Sequence, residues 1–304
     1  MKYLQKFIST LYIKSRRKLR EFLNNNSLGD SKFINFLVRF DIILRKTGFL
    51  NLLKTGTIKF NSNIFHYGDK DSGIPEFIIT NNGYEEVTLH KIESILKDGN
   101  IFFDLGANIG FYSVLGSNFV GKKGIVISFE PTPDTRKYLS KNILANDIHN
   151  VVVESLAISN KTGKAFFEVT DNSECNSIVL DENVVSGMIE IDTISIDDYC
   201  IKNNINSIDL IKMDIEGQEY NALLGMKNIN KKSKNLKIIF EFNAENLNKN
   251  NQQPFIILKT LGEMGFTSFT ILLDGEKSFN LNDDLSFLLK IANRHNMNIL
   301  ATKN

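Results

Sequence analysis

The chain has 304 residues, enough for one large α/β domain and an appendage, and its 42% apolar content is ample for a core. A formal charge of +1 excludes a general attraction to nucleic acid. The two cysteines, Cys175 and Cys200, form neither a metal-ligand spacing nor a disulfide framework, which points to a reducing compartment and a cytoplasmic chain.

Taken in order, residues 1–55 read as an N-terminal helical extension. Leu4, Phe7, Ile8, Leu11, Tyr12, Leu19, Phe22 and Leu23 recur at helical spacing. Lys2, Lys6, Lys14, Arg16, Arg17, Lys18 and Arg20 run between them, ahead of the first acid, Glu21. Such a helix either packs on the following domain or a twin subunit, or lies on an anionic membrane surface. No run reaches the roughly 18 apolar residues of a membrane span, and no signal peptide is legible. Oligomeric state is left open.

Residues 56–304 read as the main domain. Thr57–Phe60, Ile64–Tyr67 and Phe77–Ile79 are expected as short strands, with His66 as a packing residue, and Tyr84–Leu96 as a helix. Glu85 suits either a first-turn acid favoured by the helix dipole or a pocket. Ile101–Phe103 is a buried strand ended by Asp104. Gly106, Ala107, Asn108, Ile109 and Gly110 make a tight turn, and a helix starts at Phe111. A second strand, Ile125–Phe129, ends in Glu130, whose carboxylate can accept hydrogen bonds from the paired hydroxyls of a ribose. This is a βαβ nucleotide-binding pattern. A dinucleotide turn needs G-x-G-x-x-G, whereas this turn has Gly106 and Gly110, and Asp104 would repel a pyrophosphate. An acid there suits a ligand with an ammonium and a sulfonium, such as S-adenosylmethionine. The bland alternative is a turn that binds nothing.

Pro133–Asn146 is expected as a helix and Val151–Ile158 as the third strand, with Leu156 and Ala157 either walling an adenine or packing in the core. Residues 163–192 read as a β-hairpin insertion, and the acids of Ile196-Asp197-Asp198-Tyr199 as helix caps. Ile208–Met213 is the fourth strand, ending at Asp214. First and fourth strands are neighbours at the switch point of such sheets, so Asp104 and Asp214 should share a crevice. For Asp214 and Glu216 the alternative is helix capping, and Glu219 reads as structural. Leu236–Phe242 is a fifth strand with Glu241 at the rim. A polar loop (Asn246–Gln253), a helix (Phe255–Met264), a strand (Phe266–Leu273), a strand or helix (Leu285–Ile291) and a last strand (Asn298–Thr302) complete the chain.

Asp104-Leu-Gly-Ala-Asn-Ile-Gly110, Phe129-Glu-Pro131 and Lys212-Met-Asp-Ile-Glu-Gly-Gln-Glu219 together resemble the FkbM family of SAM-dependent methyltransferases, over about Gly83 to Ala301. The resemblance implies a class I, Rossmann-like fold: a mostly parallel seven-stranded sheet with helices on both faces. It implies S-adenosylmethionine as cofactor, held by Asp104, Gly106, Ala107, Asn108, Gly110, Glu130, Ala157 and Asp214. It also implies O-methylation of a hydroxyl on a sugar, glycan, glycolipid or related metabolite, with a small-molecule or glycan acceptor and no nucleic acid as partner. Methyl transfer from a sulfonium is a displacement that needs alignment and a base for the alcohol's proton, and Asp214, Glu216 and Glu241 are the candidates. A divalent cation on such acids is a second route; no complete ligand set is legible, so no metal is expected. An NAD-dependent oxidoreductase would share Glu130 but not the glycine pattern. A non-catalytic scaffold would be expected to have lost the acids.

Overall fold

The computed structural model describes residues 56–68, 74–75, 77–78, 83–168, 177–179, 188–243, 253, 255–292 and 297–303. The helical extension expected over 1–55 and most of the polar loop lie outside them. The chain divides into two units, residues 1–84 and 85–304. In the first, β1 (Gly56–Phe60) and β2 (Asn63–Tyr67) form an antiparallel hairpin, and Thr57 Oγ1 lies 2.9 Å from His66 Nδ1. Phe77 and Ile78, expected in a strand, are helical. Pro75 just ahead of them suits a helix start as well as a turn, and three-residue apolar runs do not separate the two.

The second unit is built on an eight-stranded sheet. Its order is β13-β12-β14-β11-β10-β3-β4-β5, from β3 (Ile101–Leu105), β4 (Ile125–Phe129), β5 (Val151–Glu154), β10 (Leu210–Met213), β11 (Lys237–Phe242), β12 (Ser268–Leu272), β13 (Glu276–Phe279) and β14 (Met297–Thr302). β5, β4, β3, β10 and β11 run parallel, and β14 is antiparallel to both β11 and β12. The sheet has eight strands where seven are expected, and five of them run parallel. The eighth, β13, hairpins back on β12; the polar Glu276-Lys277-Ser278 hides it in the sequence, because an edge strand facing water lacks an apolar signature. Helices α1 (Glu86–Ile95), α2 (Phe111–Phe119), α3 (Pro133–Ala145), α4 (Ile196–Lys202), α5 (Glu219–Leu224), α6 (Lys227–Lys232), α7 (Ile256–Glu263) and α8 (Ser286–Ala292) connect and cover the strands. Among the described residues no helix is long and apolar enough to cross a membrane.

The expected third strand is split. After β5 the chain leaves the main sheet, and β6 (Ala157–Ile158) opens a second sheet of order β6-β9-β7-β8 with β7 (Gly163–Glu168), β8 (Ser177–Val179) and β9 (Met188–Ile194). The insertion is therefore a small sheet rather than a lone hairpin. Ala157 is buried there with Phe167 and Ile191, so its side chain packs an inter-strand core, the second of the two places its apolar character allows. Nor do Asp197 and Asp198 cap α4. Ser195 does so, accepting from Asp198 N, while the Asp197 carboxylate accepts from the backbone N–H of Asn228 and Ile229 at the start of α6.

The two faces of the central strands differ in chemistry. Phe103, Leu105, Ile127, Phe129, Ile211, Met213, Ile238, Phe240, Phe242 and Ile299 alternate onto one face and form the main core. On the other face the register sets Ser128, Asp104, Lys212, Ile239 and Leu300 side by side across five strands. Two residues further along, Glu241 pairs with Asn298. Alternation thus delivers a row of polar groups toward the carboxyl edge of one face.

Candidate functional site

The chain runs from β3 outward through β4 and β5, then returns to β10 on the other side of β3. The two connections leaving β3 and β10 diverge at that point, which opens a crevice in sheets of this kind. Here the two exits touch. Asp214 N donates to Leu105 O (3.0 Å), and Gly106 N and Ala107 N both donate to Phe129 O (3.0 Å). Gly106 has φ +77, and a Cβ on it would sit 1.9 Å from Asp214 O. Only glycine fits there. Gly110 ends the turn at φ +87, and a Cβ on it would lie 2.4 Å from Leu139 Cδ1. Asn142, buried on α3, donates to Ile109 O (2.8 Å) and braces the loop.

On the β4 side, Glu130 is 7% exposed. Its Oε2 accepts from Asn108 N (3.0 Å) and its Oε1 from Thr132 N (2.9 Å). Asn108 reaches this position with φ 51, a left-handed conformation that asparagine tolerates. The carboxylate is therefore fixed in direction, and with the Thr132 side chain as a third donor it has lone-pair capacity left for a further one. Burial raises its pKa to about 7, against the backbone and side-chain donors of Thr132, the Asn108 N–H and nearby Arg136, which lower it. Ala107 has a scaffolding part: its side chain packs with Leu139 and Ile143, its N–H goes to Phe129 O, and its carbonyl accepts from Gly110 N.

Asp104 is not the last residue of its strand, because pairing continues through Leu105. It is 2% exposed and accepts from Ser113 Oγ (2.6 Å), which in turn accepts from Ser128 Oγ (2.7 Å). Burial raises its pKa to about 6; the charge of Lys212 and the Ser113 hydrogen bond lower it, and Asp214 raises it. Lys212 lies across the strand pair, 1% exposed, with Nζ 2.8 Å from Asp214 Oδ2 and 4.6 Å from the centre of the Tyr112 ring. Burial opposes its charge, but Asp214, Glu85 and Asp104 outweigh burial and hold its pKa above the usual range.

The β10 exit places the other sequence candidates. α5 begins at Glu219 with Gln218 at the N-cap, so neither Asp214 nor Glu216 caps it. Glu219 is structural as expected: buried, with Oε1 accepting from Ile215 N (3.1 Å). Glu216 is at φ 53, uncommon for a residue with a long side chain and costing about 1–3 kcal/mol. Asp214, Glu216 and Glu241 each bring a carboxylate oxygen within 4.8 Å of the others. Three acids weighed as alternatives in the sequence form one cluster. Burial, and then the charges of Asp214, Glu216 and Glu219, push the pKa of Glu241 well above the ordinary value, against Lys212, which lowers it. A divalent cation could bridge such a spacing, but an acidic cluster alone does not make a metal site and none is assigned.

The sequence reading missed Lys212, Tyr112, Ser113 and Asn298. Tyr112 Oη donates to Glu85 Oε2 (2.5 Å), and Asn298 Nδ2 donates to the same oxygen (2.7 Å). Glu85 makes no side-chain cap for α1 and sits at φ 43, so it serves this network rather than a first-turn role.

The raised carboxyls have a consequence for the ligand-free protein. Asp104, Glu130 and Glu219 hold protons to about pH 6, 7 and 7 in the fold, whereas in the unfolded chain they release them near 4. The folded state binds more protons between those limits, so the stability they contribute is fully present below about pH 4 and is lost as pH rises through 6–7. The melting temperature should fall from pH 5 to pH 8, and Glu219→Gln should flatten that slope. A melting temperature that rises over the window, measured by calorimetry, would show that these acids are not protonated in the fold.

Comparison with known proteins agrees with this geometry. Residues 104–268, more than half of the chain, match the methyltransferase FkbM domain. Over 146 residues the chain is 27% identical to the hexuronic acid methyltransferase AglP of Haloferax volcanii, covering 48% of this chain and 57% of that protein. Over 58 residues it is 31% identical to protein-L-isoaspartate O-methyltransferase 1 of Archaeoglobus fulgidus, covering 19% and 27%. The chain thus spans little more than half the length of the one curated relative and about a quarter of the other. Among solved structures it is similar to a putative O-methyltransferase from Klebsiella pneumoniae, with a TM-score of 0.43 and 10% identity over 72% of this chain and 79% of that one. It is also similar to M. jannaschii TYW2 in complex with AdoMet, with a TM-score of 0.42 and 12% identity over 82% and 85%. The chain belongs to the FkbM methyltransferase domain family.

Proposed function

We propose that this chain is a SAM-dependent O-methyltransferase acting on a hydroxyl of a sugar or sugar-bearing metabolite. One observation carries the reading. A single sheet edge presents an oriented acidic acceptor, Glu130, on one side of the Gly106 turn and the Asp214–Glu216–Glu241 cluster on the other. Family membership and the hexuronic acid relative support it.

The residues fit S-adenosylmethionine. Glu130 can accept from a ribose hydroxyl on the lone-pair capacity left to it. The Gly106 turn leaves a floor without a side chain. The acids around Asp104 and Asp214 favour a cationic ligand over a phosphate. When bound, the cofactor supplies an electrophilic methyl group on a positively charged sulfur. The chain's own residues do the rest. Asp214 orients the acceptor hydroxyl, and Glu241, a carboxyl whose proton affinity burial and the neighbouring acids raise, takes its proton.

The test begins with thermal unfolding in the presence of S-adenosylhomocysteine and, separately, NAD. The former should raise the midpoint by mass action and the latter should not. Glu130→Ala should weaken S-adenosylhomocysteine binding by about 1–3 kcal/mol, since charge-assisted hydrogen bonds are lost. Labelled S-adenosylmethionine with a panel of sugars and uronic acids should then give an O-methyl product. Preferential stabilisation by NAD would overturn the reading.

A further inference from the structure

Lys212 stands in a strand whose neighbours Leu210, Ile211 and Met213 are all buried and apolar. A fold alone has no use for a cation there. Replacing a buried ion pair by apolar residues of similar volume is often neutral or stabilising. Yet four segments converge on this ammonium. Asp214 beyond β10 accepts from it at 2.8 Å, Tyr112 of α2 lays its ring 4.6 Å away, and Asp104 faces it from β3. Glu85, ahead of α1, holds the Tyr112 hydroxyl at 2.5 Å and is itself held by Asn298 of β14.

We propose that Lys212 is a positioning residue for the acceptor: it pins Asp214 through Oδ2 and so holds that carboxylate beside Glu216 and Glu241 to receive the substrate hydroxyl. This rests on the methyltransferase reading above. Asp214 leaves its strand into a turn with Glu216 and Gly217 both at positive φ, outside the ladder that holds β10. Without a fixed partner its carboxylate would swing away from the two acids that repel it. Tyr112 and its Glu85–Asn298 support fix the lysine in turn. The effect is on orientation of the acceptor, and Glu130 and the Gly106 turn lie outside it.

The experiment is a double-mutant cycle on the full chain, read by single-turnover methyl transfer at saturating cofactor and by calorimetry with S-adenosylhomocysteine. Lys212→Met should lower the single-turnover rate about 100-fold while leaving S-adenosylhomocysteine affinity within roughly threefold. Lys212→Met/Asp214→Asn should be no more than about threefold slower than Asp214→Asn alone, since the lysine acts through that aspartate. Should Lys212→Met fail to fold, Lys212→Gln keeps a donor in the buried row and should show the same split with a smaller loss of rate. A rate within threefold of wild type in whichever variant folds, or losses in the double variant that multiply in full, would overturn the proposal alone. A wild-type protein inert toward every hydroxyl acceptor would overturn the function reading and this proposal with it.

Discussion

Glu241→Gln should fold, bind S-adenosylhomocysteine as wild type does, and lose methyl transfer by about 10²–10⁴-fold, the usual worth of a general base. The substitution keeps the shape of a side chain that stands at the crevice rim beside Asp214 and Glu216. It removes the group whose proton affinity burial and the neighbouring acids raise. The pH dependence separates this role from a packing one. A carboxylate base works when ionised, so the wild-type rate should climb as pH rises through the raised pKa of Glu241 and then level off. In Glu241→Gln that rising limb should vanish and leave a low, flat profile. If the variant keeps the limb and a rate near wild type, the proton goes elsewhere, and Asp214→Asn is the comparison that shows where. Asp214→Asn should also lose rate, because an amide cannot accept from Lys212 and the substrate with a carboxylate's charge. It should keep the limb, because Glu241 is intact.

The roles of particular residues show how much the sequence disclosed. Asp104, the Gly106–Gly110 turn and Glu130 were legible because each is a local signal: a residue type at a strand end or tight turn whose backbone demands fix its identity. That Asp104 and Asp214 lie near enough to feel each other's charge is what the topology leads one to expect. Lys212 carries no local signal of a role within its motif. In the run Leu210–Met213 it is one charged letter among apolar ones, and only the register that sets it against Asp104 and under Tyr112 turns it into a counter-charge. Asn298 carries still less signal, since its partners Glu85 and Thr88 are 213 and 210 positions away. The same holds for the acid cluster. Asp214, Glu216 and Glu241 looked like competing candidates in sequence because nothing local says that the turn after β10 folds back over the end of β11. The split of the third strand is hidden for a related reason. An apolar run spanning Val151–Ile158 gives no sign of the break at Ser155 and Leu156, where the chain passes from one sheet to another.

Gly106→Ala should be among the most damaging single substitutions in the domain. The residue is at φ +77, where an L-residue costs about 1–2 kcal/mol. The added methyl would lie 1.9 Å from Asp214 O and 2.9 Å from Asp214 C. Both of those are backbone atoms, so no side chain can swing aside. The exits of β3 and β10 would have to part, and the hydrogen bonds from Asp214 N to Leu105 O and from Gly106 N to Phe129 O would go with them. Overpacking of this kind adds about 1–3 kcal/mol, so a total of roughly 2–5 kcal/mol is expected. The same shift moves both halves of the site. The Glu130 side would lose its register with the turn, and Asp214 would leave Glu241. S-Adenosylhomocysteine affinity should therefore fall by at least about tenfold in whatever fraction stays folded, and methyl transfer should fall further than affinity. Gly163→Ala is the control: φ there is not in the positive region and an added Cβ meets nothing within 4 Å, so stability and binding should be unchanged. Denaturant unfolding and calorimetry on the pair decide the matter. If Gly106→Ala matches Gly163→Ala in both, the contact between the two strand exits does not hold the site together.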